Sequence, residues 1–191
     1  YQHYRVTKAE NRRLKKENKR IMDACIDNVE CGLLVEKTDG NFVPRTPVLL
    51  DMKSGWVWAE PTLALLSDGT VAMLMRKDNS GALWRADTAD EGKTWSKALK
   101  TDIPNPANKP FLINHTNGKI YLINTPNSVR DERYPFAIWE TNDDMKSWTE
   151  KTVISDIPAF WSYSWAIVFD DGSLSVVFED RHNLYFTKVT V

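Results

Sequence analysis

Glu60-Pro-Thr-Leu-Ala-Leu-Leu-Ser-Asp68-Gly69 is an apolar stretch that runs into a turn pair. Lys109-Pro-Phe-Leu-Ile-Asn-His-Thr-Asn117-Gly118 and Tyr163-Ser-Trp-Ala-Ile-Val-Phe-Asp-Asp171-Gly172 repeat that layout. Asp-Gly and Asn-Gly suit a type I′ turn, which needs positive φ. Each pair is followed by a second apolar stretch: Val71 to Met75, Ile120 to Ile123 and Leu174 to Phe178. The turns recur at roughly fifty residues, a period typical of propeller blades or solenoid repeats. Leu83 to Asp87 and Phe136 to Glu140 are predicted third strands, and Ala98 to Lys100 and Thr152 to Ile154 fourth strands. Four short antiparallel strands per repeat make a propeller blade. The turn chemistry and β-rich composition exclude a helical solenoid.

Between predicted strands three and four stands Thr88-Ala-Asp90-Glu-Gly92-Lys-Thr94-Trp95, with a second copy at Thr141-Asn-Asp143-Asp-Met145-Lys-Ser147-Trp148. The physical logic is local: the Asp accepts backbone N–H bonds, the Gly permits positive φ, and the Trp packs under the hairpin. Both copies resemble the Asp-box of sialidase-like propellers, Ser/Thr-x-Asp-x-Gly-x-Thr-Trp. Met145 stands where the family has Gly, so a strained or reshaped turn is expected there. The box marks the fold and not the chemistry.

Composition narrows the class. The chain has 191 residues, 42% of them hydrophobic and 27% charged, ordinary values for a globular protein. A net charge of -1 gives no reason to expect a nucleic-acid partner across the surface. No apolar run approaches the roughly 20 residues that span a bilayer. Two cysteines, Cys25 and Cys31, are too few for a disulfide framework, and three scattered histidines argue for no metal cluster. No cofactor is called for. The sequon Asn114-His-Thr116 would matter only in a eukaryotic secreted protein. Eight tryptophans suit both all-β cores and sugar-stacking surfaces. The chain does not begin with Met, and a secreted or periplasmic location would follow if a signal peptide precedes it.

Residues 8 to 26 are predicted helical, with Leu14, Ile21, Met22 and Cys25 near one face. The basic surface from Arg12 to Arg20 is interrupted by Glu17, which favours a solvated face over a nucleic-acid or membrane patch. The division expected is an N-terminal helical or irregular segment, 1–31, and a partial propeller, 32–191. Its blades fall at about 56–105, 106–157 and 158–191, with a further hairpin around Asp39-Gly40. About three blades cannot close a propeller. Missing N-terminal blades or a second chain are therefore expected to complete an all-β propeller, six-bladed in the family resembled.

Register connects the repeat to a site. Glu60, Lys109 and Tyr163 occupy equivalent positions, at the start of the innermost strand if this is a propeller. Arg76 returns to the same end as Glu60, and Arg133, just before a third strand, belongs there too. Charged and phenolic groups thus converge on one rim, as a ligand site requires. Singly, a Glu before Pro is ordinarily a surface residue and a strand Tyr ordinarily core; shared register gives the pair its weight.

The resemblance then becomes specific, over about residues 56 to 191. Glu60…Asp68-Gly69…Arg76 is similar to the sialidase segment carrying the catalytic Glu and an arginine of the substrate-binding triad. Tyr163-Ser164…Asp171-Gly172…Phe178-Glu179 resembles the segment carrying the nucleophilic Tyr. Arg133 matches the last triad arginine, with Arg130 as competitor. Trp58-Ala-Glu60-Pro61 and Ile103-Pro-Asn-Pro106 resemble the broad branch whose members need not all cleave sialic acid. The resemblance implies Tyr163 as nucleophile, Glu60 as its base, and Arg76 and Arg133 on the substrate carboxylate. Lys109 is a further lining residue. Trp161, with Trp165, is a candidate apolar wall, though core packing is an equal alternative. Arg181 and Glu179 pair with each other or with the site.

The expected partner is the terminal sugar of a glycan. A sialoside carries a carboxylate on its anomeric carbon, which would repel a carboxylate nucleophile; a neutral Tyr avoids that. The resemblance also implies an early Arg-Ile-Pro segment and an Asp general acid. Arg45-Thr-Pro47 stands in the wrong place for the first, and Asp51 is no better supported as the second. The leading expectation is a sialidase-like exo-glycoside hydrolase. The alternatives are a non-catalytic carbohydrate-binding propeller and an exo-enzyme acting on another acidic sugar.

Overall fold

The computed structural model describes residues 28–51 and 58–191. The predicted helix over 8–26 lies outside them. Described residues form fifteen strands and no helix. An outlying pair joins β1 (Asn28–Cys31) to β4 (Val48–Asp51), with the hairpin β2 (Leu34–Glu36) and β3 (Phe42–Pro44) between them. Residues 28–31 are thus a strand rather than part of a helical or irregular segment, because β4 supplies a ladder that no short-range contact predicts.

Three larger antiparallel sheets follow in chain order. The first contains β5 (Pro61–Leu65), β6 (Val71–Met75), β7 (Ala82–Thr88) and β8 (Leu99–Pro104). The second contains β9 (Phe111–Asn114), β10 (Ile120–Asn124), β11 (Phe136–Thr141) and β12 (Thr149–Ser155). The third contains β13 (Ser162–Val168), β14 (Leu174–Glu179) and β15 (Leu184–Val189). Strand order equals chain order in each sheet, the up-and-down meander of a propeller blade.

The sheets stack face to face, which explains why β6 and β10 are apolar at nearly every position. Ala72 and Leu74 face the second sheet, where they meet Leu112, Ile120 and Leu122. Met73 and Met75 point the other way, into a core with Cys31, Val48 and Leu50. On β10, Tyr121 and Ile123 turn from the first sheet to Ala166, Leu174, Val176 and Phe178 of the third. Burial on both faces favours apolar side chains along such a strand, and the polar Asn124 falls at the end of β10. Truncating one of these side chains, as in Leu122→Ala, costs about 2–5 kcal/mol.

The first strands of the sheets lie side by side. Asn114 Nδ2 donates to the Leu65 carbonyl (2.6 Å), its Oδ1 accepts from Leu65 N–H (2.9 Å), and Thr62 Oγ1 accepts from Leu112 N–H (2.9 Å). β13 in turn contacts β9. The innermost edge is therefore β5, β9 and β13, the strands that begin beside Glu60, Lys109 and Tyr163.

The hairpin turns share one geometry, and it is not type I′. Each closes a three-residue loop, as in Leu66 N–H to Thr70 O (2.8 Å) and Gly69 N–H to Leu66 O (3.1 Å). Only the glycine takes positive φ: Gly40 (78°), Gly69 (85°), Gly118 (82°) and Gly172 (78°). This is the loop closed by a glycine bulge, and the preceding Asp or Asn bonds the N–H two residues on. Asp68 Oδ1 accepts from Thr70 N–H at 2.9 Å, and Asp171 Oδ1 from Ser173 N–H at 3.0 Å.

Both Asp-box loops lie at this turn end. Asp90 accepts from Thr94 N–H (2.9 Å) and Thr94 Oγ1 (2.7 Å); Asp143 accepts from Ser147 N–H (3.0 Å) and Ser147 Oγ (2.5 Å). Glu91 and Gly92 have φ of 58° and 79°; Asp144 and Met145 have 59° and 63°. Met145 thus takes the glycine conformation, at a cost on the order of 1 kcal/mol. Its side chain is buried in the core between the first two sheets.

Candidate active site

The opposite end of the sheets begins with Pro61 paired to Met75. One residue beyond each, Glu60 and Arg76 leave the ladder and meet: Arg76 Nη1 donates to Glu60 Oε2 at 2.8 Å. Arg76 Nε donates to Asp78 Oδ1 at 2.7 Å. Arg76 is only 8% exposed and Asp78 2%. Burial alone would lower the guanidinium pKa, but the two carboxylates outweigh it and hold it above its ordinary value. Asp78, two positions beyond Arg76, is a site residue that register alone did not single out.

Arg133 is 6% exposed. Its Nη2 donates to the Ala107 carbonyl (3.0 Å) and its Nη1 to Asn108 Oδ1 (3.3 Å), while Nε is buried without a partner. Burial, then the charge of Arg76, push its pKa down, partly offset by Asp131, Glu60 and Tyr163. Arg130 instead points outward, donating to Asn79 Oδ1 at 2.6 Å with its side chain 55% exposed. Of the two competing arginines, Arg133 is the one at the rim.

Asn108 ties these parts together. Asn105 Oδ1 accepts from Asn108 N–H (2.9 Å), and Asn105 Nδ2 donates to the Asn108 carbonyl (2.9 Å) and Asn124 Oδ1 (2.8 Å). Asn108 Nδ2 then reaches the Trp161 carbonyl at 3.0 Å, just before Tyr163. The Ile103-Pro-Asn-Pro106 motif therefore builds a bracket linking the second and third sheets under the rim. A run of Pro and Asn was the only sequence signal for it.

Tyr163 carries the unusual backbone. Ser162 pairs with Glu179 but Trp165 with Val177, so β13 is irregular between them. Tyr163 sits there at φ 48°, a left-handed conformation rare for a bulky residue. Such strain costs roughly 1–3 kcal/mol and clusters at functional sites. The phenol is more than half exposed and adjoins Glu60. Its pKa lies above the ordinary tyrosine value because of the Glu60 charge first, then burial and a Glu60 hydrogen bond; Arg76 and Arg133 act against this.

Lys109 completes the cluster. Its Nζ lies 3.5 Å from the Ser164 carbonyl, 5.6 Å from the Phe111 ring centre and 6.0 Å from that of Trp165. Burial lowers its pKa, and Glu60 partly restores it. Glu60 is the shared electrostatic partner of Arg76, Arg133, Lys109 and Tyr163, which gathers the five in one place.

Trp161 does not stand there. It is 5% exposed and packs edge-on against Phe178 and Tyr185, with Nε1 donating to the Ile157 carbonyl at 3.2 Å. Trp161 is core, because the chain breaks its alternation just before Tyr163. Trp165 is 59% exposed and leans on Phe111 with ring centres 5.0 Å apart, so it supplies the aromatic surface. Arg45 lies at the turn end, against Glu91 (3.5 Å), and Asp51 pairs with Lys77 (3.1 Å). Among the described residues no group of three His, Cys, Asp or Glu side chains could hold a metal ion.

A family model described as a BNR repeat-like domain matches residues 50–176, well over half of the chain. The chain belongs to that family. Solved structures with the same fold include the intramolecular trans-sialidase from Ruminococcus gnavus (TM-score 0.63, 21% identity), which covers 84% of this chain and 38% of its own. The NanB sialidase from Streptococcus pneumoniae aligns with TM-score 0.65 and 21% identity, over 86% of this chain and 28% of its own. The Penicillium chrysogenum alpha-L-arabinanase follows at 0.58 and 17%, over 85% and 55%. No curated protein sequence matches the chain. The BNR repeat-like chain is thus an all-β, sialidase-type propeller arc. It spans less than two fifths of the length of the two sialidases. Its fold is one used by glycoside hydrolases.

Proposed function

We propose that this propeller arc is the nucleophile-bearing part of a sialidase-like exo-glycoside hydrolase, releasing a terminal acidic sugar, sialic acid. The observation that carries the reading is Tyr163, held in left-handed backbone beside Glu60 and within the field of Arg76 and Arg133. Arg76 and Arg133 receive the sugar carboxylate through guanidinium N–H donors. Tyr163 Oη attacks the anomeric carbon as Glu60 takes the phenolic proton, and the glycosidic C–O bond breaks. The leaving oxygen takes a proton from a general acid, a role assigned to no residue of this chain. Water then attacks the anomeric carbon, giving a proton to the conjugate base of that general acid, as the bond to Tyr163 Oη breaks and Glu60 returns its proton to the phenolate oxygen.

The raised phenol pKa supports this order of events. A phenolate formed in advance beside Glu60 would repel both that carboxylate and the incoming sugar acid. A neutral phenol deprotonated only during attack avoids both costs. Lys109 and the Trp165–Phe111 surface are assigned to sugar contacts.

Hydrolysis of a fluorogenic sialoside by the full-length protein tests the reading. Tyr163→Phe is expected to lower turnover by at least about a hundredfold, since phenylalanine keeps the shape and removes the nucleophile. Unchanged turnover in that variant would rule the mechanism out. A second reading, a propeller that binds acidic sugars without cleaving them, draws on the paired arginines alone. Sialoside binding without release by the wild-type protein would favour it.

A further inference from the structure

The residue before Trp161 in the β12–β13 connection is Phe160, and its ring serves two cations. The Arg133 guanidinium carbon lies 3.7 Å from the ring centre and that of Arg181 4.2 Å. The two guanidinium carbons are therefore within about 8 Å of each other. Arg181 belongs to the β14–β15 connection, at the Tyr163 end of the sheet, since Glu179 pairs with Ser162.

Charge at this place is unbalanced. Arg76 is matched by Glu60 and Asp78. Arg133 has only Asp131, at 4.0 Å. Arg181 has no ion pair or hydrogen bond among the described residues, and it does not pair with Glu179. Neighbouring Asp180 is already engaged: it accepts from the backbone N–H groups of His182 and Asn183 (both 2.7 Å) and from Tyr185 Oη (2.8 Å). Contact with an aromatic ring orders a guanidinium yet leaves its in-plane N–H donors free for an anion.

We propose that Arg181 is a substrate-contacting residue that binds a second acidic group, adjacent to the carboxylate received at Arg133. This deepens the acidic-sugar reading above and rests on it. The preferred substrates are then sugars carrying two anionic groups on neighbouring units, such as a disialyl unit in which the second carboxylate belongs to the adjoining sugar.

Calorimetric binding of a methyl sialoside and of a disialyl unit to the full-length protein, with turnover of both, tests the proposal. The wild type is expected to bind the disialyl unit roughly three- to tenfold more tightly. Arg181→Ala should lose that gain and leave methyl sialoside affinity within about twofold. No gain in the wild type, or a gain that survives in Arg181→Ala, overturns the proposal. So does an equal loss for both ligands, which would make Arg181 a positioning residue acting on Arg133 through Phe160. Turnover of the monosialoside without any disialyl gain leaves the hydrolase reading standing and this one fallen. A gain lost in Arg181→Ala, with no turnover of either ligand, does the reverse. If neither ligand binds, both fall.

Discussion

The two ends of the blades spend their charges differently. At the turn end, the Asp-box and hairpin carboxylates are satisfied first by their own loops: Asp90 by Thr94 and Thr88, Asp143 by Ser147 and Thr141, Asp171 by Ser173. Longer reaches are added by Lys188 to Asp171 and by Ser67 to Asp144. Asp90 and Asp143 are half-buried and Asp171 is exposed, and the hydrogen bonds hold the Asp90 carboxyl down at about 2. At the rim, partners come from different strands and sheets. Glu60 meets Arg76 across a hairpin, and Arg133 reaches Asn108, which is bonded to the residue before Ser162. Strain is handled differently as well. Met145 takes a glycine conformation at the turn end, and its buried side chain offsets the cost. Tyr163 takes the same conformation at the rim with its side chain mostly in solvent. Exposed Glu91 shares the conformation at the turn end, so what sets Tyr163 apart is an aromatic ring held left-handed beside charged partners.

Substitutions can break that comparison. Glu60→Gln should act on chemistry, lowering sialoside turnover by about 10²–10⁴ through loss of the base. It should also bring the Tyr163 pKa back toward the ordinary tyrosine value, because the Glu60 charge is the first cause of its rise. Stopped-flow turnover and ultraviolet titration of the phenol check the two parts. An unchanged turnover would put Glu60 with the structural carboxylates.

Turn-end variants should act on stability alone. Gly92→Ala places a methyl at φ 79°, with contacts of 2.8 Å to Leu33 Cδ2 and 3.1 Å to Arg45 Cβ. A loss of about 1–3 kcal/mol in denaturant unfolding is expected, with kcat intact. Met145→Gly restores the residue of the Asp-box pattern, yet it should still destabilise by about 1–3 kcal/mol, because the lost core side chain outweighs the relieved strain. A gain in stability there would show that the strain dominates.

The smallest effect is on acid stability. Asp90 titrates at about 2 in the folded protein, below the ordinary carboxylate value of 3.8. Its stabilisation is therefore fully present above about pH 4 and lost as pH falls toward 2. Asp90→Asn should flatten the stability profile in that window and leave the slope above pH 5 unchanged. Thermal melts across pH 2–6 measure it.

Much of this was legible from repeat spacing. Turn pairs at fixed intervals set the hairpins, and counting back from them placed Glu60, Lys109 and Tyr163 at equivalent starts. Arg76 followed from strand length, and Arg133 from its place just before a third strand. The turn type was not legible, because the loop closes one residue wider than the Asp-Gly pair implies. Trp161 and Trp165 stand an even number of positions from Tyr163, so alternation could not separate them. The break in the chain at Tyr163 did. Asn108 and Phe160 are defined by contacts across sheets, which no spacing within one repeat reports, and Asp78 by a contact two residues along the chain, in a connection outside the strand pattern.

The most direct test of the account is covalent trapping in the full-length protein. A 3-fluoro-sialosyl fluoride supplies a good leaving group and slows hydrolysis of the sugar–enzyme bond. Mass spectrometry of the quenched, digested protein should find one sialyl adduct, on Tyr163, and none in Tyr163→Phe. An adduct on another residue, or rapid turnover with no adduct at Tyr163, would contradict the assignment of the nucleophile.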